Sequence, residues 1–170
     1  MAKKKPVRRR KKVGSKSVGL TAPETAEAVD PGAQALAAQI VEDGGAALAV
    51  YREPFGGTPA VLATLPIDSV EPTPYQRDPS EPHVKRLMNV IEKLGRFLDP
   101  IITVRHGDGY WTPNGNHRLQ AMRKLGARSV VALVIPEADV AFKILALNRE
   151  GAQPQREVAR NDPHAPRARG

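Results

Sequence analysis

The sequence predicts an α+β domain: a small mixed sheet with packed helices, flanked by disordered tails. Between about residues 60 and 150, apolar residues alternate between the period of a strand and that of a helix. The elements follow in the order strand, helix, hairpin, helix, strand, helix, while both ends of the chain are polar and lack a sustained period. We therefore divide the chain into a basic tail (1–31), a helix and linker (32–59), the α+β domain (60–150) and a C-terminal tail (151–170).

The first helix is predicted to begin after Asp30. This aspartate is a suitable N-cap, Pro31 is a favoured first helical residue, and good helix formers follow as far as Gly44. Two apolar runs come next, "AALAVYREPF" and "PAVLATLPIDSV", on either side of a Gly-Gly pair. They fit either two strands or a strand and a loop.

An irregular stretch and an amphipathic helix open the main domain. The segment "EPTPYQRDPSEP" carries four prolines and is predicted to have no regular structure. The helix that follows ends at Gly95. Its apolar residues recur at helical spacing and are Val84, Leu87, Met88, Ile91 and Leu94.

The rest of the domain is predicted as a hairpin, two helices and a strand between them. The run "IITVRHGDGYWT" after Pro100 indicates a hairpin whose turn is "HGDG". A turn from Pro113 to Asn116 leads into a helix whose Leu119, Met122 and Leu125 face inward and which ends at Gly126. The β-branched run "SVVALVIP" predicts a buried strand, and "EADVAFKILALNRE" a last helix whose first turn is acidic.

Composition excludes several classes of protein. Without cysteine the chain has no disulfide, thiol nucleophile or thiolate metal site, and we expect a cytoplasmic protein. No apolar run approaches the roughly 20 residues that span a bilayer, so we expect no membrane partner. The basic N-terminus lacks the apolar segment of a secretory signal. The histidines show no metal-ligand spacing, and we predict no protein-bound metal site.

Positive charge is concentrated at the N-terminus. Residues 1–16 hold nine Lys or Arg and no acid; without those nine, 17 basic residues face 18 acidic ones. Such a run either keeps the chain soluble or contacts nucleic acid without sequence preference, through counterion release. We favour contact with the DNA backbone, through Lys3, Lys4, Lys5, Arg8, Arg9, Arg10, Lys11 and Lys12.

The start of the helix near residue 116 has an unusual charge. Gly115, Asn116, His117 and Arg118 place cations where the helix dipole disfavours them, whereas the last helix begins with acids. A bound anion would explain this, because free backbone N–H groups, a glycine and a guanidinium together suit a phosphate. In the alternative interpretation Gly115 only permits a positive φ at a turn, Asn116 caps the helix, and His117 and Arg118 are solvated.

These residues resemble a known family. The run "LPIDSVEPTPYQR", a helix, and the stretch from "DPIITV" to "VALVIPE" are similar to the N-terminal domain of ParB partition proteins, a fold shared with sulfiredoxin. The similarity covers roughly residues 62–150. The stretch "GNHRLQA" resembles the ParB box "GERRxRA", which binds CTP triphosphate in that family, and the "GCHR" and "GHHR" of sulfiredoxin and free-serine kinases, where ATP phosphates sit.

The resemblance implies a nucleoside triphosphate, CTP or ATP with Mg²⁺, bound at Gly115, Asn116, His117 and Arg118. It adds Gln76 and Arg77, which match the family's "PxQPR" segment, and Asn148, which matches "ENxxR", as further nucleotide contacts. Leu147 stands where "ENxxR" has its carboxylate, and leucine cannot ligate a hard cation.

Departures from the family pattern exclude one activity and weaken another. Asn116 stands in place of sulfiredoxin's reactive cysteine, which excludes sulfiredoxin activity. Relative to the ParB box, His117 and Gln120 each replace an arginine, so we expect weaker or different nucleotide binding.

The resemblance and the departures from it leave three candidate functions. The first is a ParB-like nucleotide-binding protein that contacts DNA in plasmid or chromosome partition or in a mobile-element process. The second is an ATP-dependent phosphotransferase or nucleotidase, and the third a degenerate protein-interaction module. With no helical pair after Gly151 we expect no helix-turn-helix DNA reader. A homodimer is compatible with the family.

Overall fold

The structure, a computed structural model, describes residues 18–27, 30–74 and 76–150. Its helices are α1 (Pro31–Glu42), α2 (Glu81–Leu94), α3 (Asn116–Lys124) and α4 (Ala138–Glu150). Its strands are β1 (Ala46–Arg52), β2 (Pro59–Pro66), β3 (Val70–Pro72), β4 (Ile101–His106), β5 (Gly109–Asn114) and β6 (Ser129–Ile135). The predicted α+β class is confirmed.

One mixed sheet organises the described chain. The strand order is β1-β2-β6-β4-β5-β3. Strand β2 pairs antiparallel with β1 and β6, and β4 and β5 form the predicted antiparallel hairpin. The pairs β4–β6 and β3–β5 are parallel. The two apolar runs near residue 56 are thus both strands, and β1 lies in the same sheet as the strands of residues 60–150.

The main core lies on the face of the sheet covered by α1 and α3. Alternate residues of β2, β6 and β4 point to this face, as the period of a strand requires. They meet Ile40 of α1 and Leu119 of α3, both fully buried. Asp30 accepts a hydrogen bond from the Gly32 N–H at 3.0 Å, which confirms the predicted N-cap of α1.

A polar cluster ties the end of α1 to the hairpin. The Asp43 carboxylate accepts bonds from Nε and Nη2 of Arg105, at 2.8 and 3.1 Å, and from the Tyr110 hydroxyl at 2.6 Å. The Arg105 guanidinium is the main cause that lowers the pKa of Asp43 to about 2. Burial, followed by the bond to Asp43, raises the pKa of Tyr110.

The N-terminal segment before α1 is partly ordered. Residues 18–27, which the sequence assigns to the disordered tail, contain a 3-10 turn at Pro23–Ala26. The Leu20 N–H donates to the Pro54 carbonyl at 2.7 Å, and Glu24 accepts bonds from the backbone and hydroxyl of Thr21. Residues 1–17, with every cation of the proposed DNA contact, and residues 151–170 lie outside the described chain.

The apolar face of α2 is only partly covered, and two local predictions need correction. Of the apolar residues of α2, Val84 is buried but Leu94 is 54% exposed, because α2 packs mainly against α3 at the edge of the domain. Pro113 and Asn114 end strand β5 instead of forming a turn. The proline-rich stretch begins with a short edge strand, β3, where Pro72 is tolerated because no further strand needs its missing N–H.

Helix α4 packs on the opposite face of the sheet, over β4 and β5, where the rings of Phe142 and Trp111 make a T-shaped contact with centroids 6.3 Å apart. In the described part of the chain, no helix combines the length and the apolar character needed to cross a membrane.

Candidate functional site

The predicted phosphate turn opens into a cavity of about 260 Å³. Four parts of the chain meet there: the end of β5, the start of α3, the first turn of α2 and the loop before β4. Its lining includes residues 114–118 together with His83, Leu87 and Asp99. The structure therefore brings Gly115, Asn116, His117 and Arg118 together at the wall of one cavity.

Gly115 is a backbone requirement of this turn. Its φ is +151°, a value that L side chains rarely adopt. A Cβ built there would lie 2.6 Å from the Cβ of Ile101 on the neighbouring strand. The chain can thus pass from β5 into α3 directly against β4 only with glycine at this position.

Helix α3 begins without a side-chain cap. Gly115 is its N-cap, and no side chain bonds the N–H groups of the first turn. These N–H groups have no acceptor within the helix, because an α-helix leaves its first N–H groups unpaired. Asn116 accepts a bond from Gln120 Nε2 at 3.2 Å instead of capping the helix, so the alternative interpretation is wrong on this point.

His117 is a hydrogen-bond acceptor in this structure. Its Nε2 lies 3.1 Å from the backbone nitrogen of Ser80, the N-cap of α2, which donates to it. Burial lowers the pKa of His117, and the nearby His83 ring, whose centroid is 4.6 Å away, lowers it further. His117 is therefore neutral near pH 7 and adds no positive charge to the first turn.

Arg118 is held from several sides. Its Nη1 donates to the Pro100 carbonyl at 2.9 Å, and its Nη2 lies 3.2 Å from Asn114 Oδ1. The same Nη1 forms an ion pair with Asp99 Oδ1 at 2.8 Å. The Arg118 side chain is 17% exposed and that of Asp99 is 73% exposed. Arg118 is thus fixed and partly buried, whereas its acidic partner faces solvent.

Gln76 is not among the residues that line the cavity, but it holds the end of β5, which does line it. Its Nε2 donates to the carbonyls of Thr112 and Pro113, at 3.0 and 2.8 Å, and so ties the proline-rich loop to the end of β5. Its Oε1 is buried and has no hydrogen-bond partner within the described residues. Arg77, next in the chain, is exposed. Asn148 lies in α4, and the placement of its side chain is outside the description.

Four residues that line this cavity were not predicted to do so: His83, Leu87, Asp99 and Asn114. His83 showed no metal-ligand spacing in the sequence, and Asp99 lay in the turn "GRFLDP", which is one residue longer than the "GLLQP" of the ParB family and gave Asp99 itself no role. Only the packing of α2 against α3 brings His83 to His117, and only the return of the chain into β4 brings Asp99 to Arg118. In residues 18–27, 30–74 and 76–150, no group of three or more His, Asp or Glu could hold a metal ion.

Comparisons with known structures return partial similarities. A ParB chromosome-partitioning protein from Caulobacter crescentus, complexed with CTP-γ-S, aligns with 25% identity and a TM-score of 0.43, over 53% of this chain and 52% of that one. Sulfiredoxin from Arabidopsis thaliana aligns with 22% identity and a TM-score of 0.42, over 50% of this chain and 96% of that one. A free serine kinase in complex with ADP aligns with 18% identity and a TM-score of 0.40, over 44% and 30%.

The sequence comparisons decide the family. The comparison with curated proteins returned no match. The family model for the ParB N-terminal domain matches residues 56–148, which include five of the six strands and the whole turn from Gly115 to Arg118. That match spans more than half of the 170 residues. The chain therefore belongs to the ParB N-terminal domain family.

Proposed function

We propose that this domain binds a nucleoside triphosphate, CTP or ATP with Mg²⁺, and that its phosphates contact the turn from Gly115 to Arg118. The uncapped start of α3 carries this proposal. Its unpaired N–H groups face a cavity beside a fixed guanidinium, and a helix N-terminus favours an anion. Because Gly115 has no side chain, a phosphate can approach the backbone closely.

Asp99 is the internal anion that a phosphate would replace. An exposed ion pair contributes about 0–1 kcal/mol, so exchanging it for a multiply charged triphosphate costs little. The carbonyl of Pro100 and the side chain of Asn114 would keep Arg118 oriented during the exchange. A guanidinium held in place loses less conformational entropy when it binds a phosphate.

The neutral form of His117 also suits a phosphate. With Nε2 accepting from Ser80, the proton of the neutral ring is on Nδ1, which is free to donate to a ligand oxygen. His83 from α2 lines the same cavity and offers a second imidazole. We expect Gln76 to act by holding the end of β5, and Arg77 to reach the ligand from the loop.

The wider role that we propose is DNA contact in plasmid or chromosome partition or in a mobile-element process. The family assignment and the nine cations of residues 1–16 support it. Mg²⁺ would arrive with the nucleotide, since the described residues contain no cluster of carboxylates and histidines that could bind it alone.

Titration with CTP, ATP and GTP in the presence of Mg²⁺ tests the site. We expect the wild type to bind at least one of them and Arg118→Ala to lose about tenfold or more in affinity, since a charge-assisted pair is worth about 1.5–3 kcal/mol. Arg128→Ala is the matched control, because Arg128 is exposed and does not line the cavity. It should bind as the wild type does.

Phosphate release or transfer in the same samples separates binding from catalysis. Binding without turnover supports the nucleotide-binding function, whereas turnover that Arg118→Ala removes supports the phosphotransferase alternative. If the wild type binds none of the three nucleotides, the proposal fails and the protein-interaction module is favoured.

A further inference from the structure

A second, larger cavity lies on the opposite face of the sheet, between the strands and the start of α4. We call it the back-face cavity; its volume is about 560 Å³. Its floor is apolar, with Ile102, Leu133 and Ile135 from the sheet, and Val140 and Ile144 of α4 form a wall. It shares no residue with the cavity beside residues 114–118 at the start of α3.

The rim of the back-face cavity is acidic. Glu53, Glu137 and Asp139 line it, against one lysine, Lys143. Lys143 is already paired with Asp139 at 3.0 Å. The rim therefore keeps an excess of two negative charges around an apolar floor, which suits a segment that combines cations with small apolar side chains.

The described chain begins beside this rim. The Leu20 N–H donates to the carbonyl of Pro54, the residue after Glu53, and Gly19 packs on the backbone of Pro54 and Phe55. Gly19 and Leu20 therefore lie next to the turn that carries Glu53. Val18 and Phe55 are 69% and 77% exposed there, which leaves apolar surface beside the cavity.

Residues 1–17 complement the cavity in charge and reach. They carry nine cations and no acid, with Val7 and Val13 between the basic runs. An extended chain spans about 3.3 Å per residue, so 17 residues exceed the width of the cavity several times. Because this segment is tethered next to the rim, its effective concentration there is on the order of millimolar without any partner.

We propose that residues 1–17 dock in cis along the back-face cavity, their cations on the acidic rim and a valine on the apolar floor. Each exposed ion pair is worth about 1 kcal/mol or less, so the docked state is weak, sensitive to salt and easily displaced by a polyanion. Docking would therefore hold the basic segment on the domain until a stronger anion competes for it. This inference does not depend on nucleotide binding at Gly115.

A nitroxide label near the chain end tests the proposal directly. Because the chain contains no cysteine, Ala2→Cys creates a unique attachment site without changing the charge. An undocked spacer of 16 residues would hold the label about 22 Å from Val18 on average, so it would broaden the amide signals on the tethered side only weakly and independently of salt. Docking should instead reduce the ¹⁵N-amide intensities of Ile135, Val140 and Ile144 several-fold more than those of Leu119 and Ala121 on the opposite face.

Salt and charge variants test whether electrostatic attraction causes the difference in broadening between the two faces of the sheet. It should disappear near 1 M salt, where the Debye length is about 3 Å, and in the double variant Glu137→Gln/Asp139→Asn. The control Glu42→Gln/Glu92→Gln, which neutralises two exposed acids elsewhere, should keep it. Should the rim variant unfold, a chain with Arg8, Arg9, Arg10, Lys11 and Lys12 changed to Gln tests the same contact from the other side.

Other outcomes of the labelling experiment would contradict docking in cis. Equal broadening on both faces, or selectivity that persists in high salt and in the Gln-substituted tail, would overturn the proposal. A mixture of tagged unlabelled chain with untagged ¹⁵N chain should show no selective broadening. If it does, the segment docks on a second copy, and docking in cis is refuted.

Discussion

The guanidinium of Arg118 and the carboxylate of Asp99 form an ion pair of 2.8 Å at the cavity beside the start of α3. This contact answers the question raised by the basic start of α3. Asp99 neutralises Arg118 locally, and the lowered pKa of His117 removes the second charge. The positive end of the helix dipole therefore meets one compensated cation, and the proposed phosphate would take the place of Asp99.

Removing the carboxylate of Asp99 should strengthen nucleotide binding in the absence of Mg²⁺. Asp99→Asn leaves Arg118 held by Pro100 and Asn114 but eliminates a competing anion and its repulsion of the phosphates. We expect a gain of up to about fivefold in affinity, because an exposed ion pair is worth about 0–1 kcal/mol. Calorimetric titration measures it, with Glu92→Gln as the distant control. A loss of affinity in Asp99→Asn would show that Asp99 does not compete with the ligand.

Gly115→Ala should destabilise the domain much more than a glycine change at another turn. At Gly115 a Cβ meets Ile101 at 2.6 Å and the φ is +151°, whereas Gly95 has φ +64° and nothing within 4 Å. We expect about 3 kcal/mol of lost stability for Gly115→Ala and about 1 kcal/mol for Gly95→Ala, from overpacking and from backbone strain respectively. Urea unfolding measures both. Equal losses would mean that β4 moves aside to accept the methyl group.

The cluster of Asp43, Arg105 and Tyr110 should govern stability in acid. The pKa of Asp43 is lowered to about 2, so its contribution is present above the ordinary value of 3.8 and is lost as the pH falls toward 2. Asp43→Asn should cost about 2 kcal/mol near pH 7, because Arg105 loses its partner. The deficit relative to the wild type should shrink below about pH 4.

Urea unfolding at several pH values, with the exposed Asp68→Asn as control, measures this cluster. The control should stay within about 0.5 kcal/mol of the wild type. A deficit in Asp43→Asn that is constant down to pH 2 would show that the carboxylate charge does not contribute.

His117 should make the domain less stable in mild acid. Its pKa in the folded state is below the ordinary 6.5, so the unfolded chain takes up the proton first. Stability from this group is therefore present above about pH 6.5 and is lost as the pH falls through that value toward the folded pKa. His117→Gln, which keeps an acceptor for the Ser80 N–H but does not titrate, should flatten this slope. An unchanged slope would assign the dependence to another histidine.

The basic segment should set the salt dependence of DNA binding. Each phosphate contact contributes about −0.9 to the slope of log affinity against log salt concentration. Replacing Lys3, Lys4, Lys5, Arg8, Arg9, Arg10, Lys11 and Lys12 by Gln should flatten that slope and weaken binding to any duplex. Fluorescence anisotropy over a range of salt measures it. If the slope and affinity do not change, the segment does not contact DNA.

Local pattern predicted the elements whose periodicity was strong. Asp30 and Pro31 marked the start of α1, and the "HGDG" turn marked the hairpin of β4 and β5. Strand β3 was missed because three residues are too few to show a period, and its pairing with β5 comes from a distant part of the chain. Periodicity identified the apolar face of α2 but not what covers it, so the exposure of Leu94 follows from the tertiary packing alone.

The sequence by itself determined that residues 115–118 form an unusual helix start, because glycine preferences and helix-dipole electrostatics act within a few residues. Only the tertiary structure decided the charge state there. The ion pair with Asp99 spans 19 positions, and the bond from Ser80 to His117 spans 37. Such contacts depend on how the strands are ordered and how α2 packs on α3, and local residue patterns do not encode those distances.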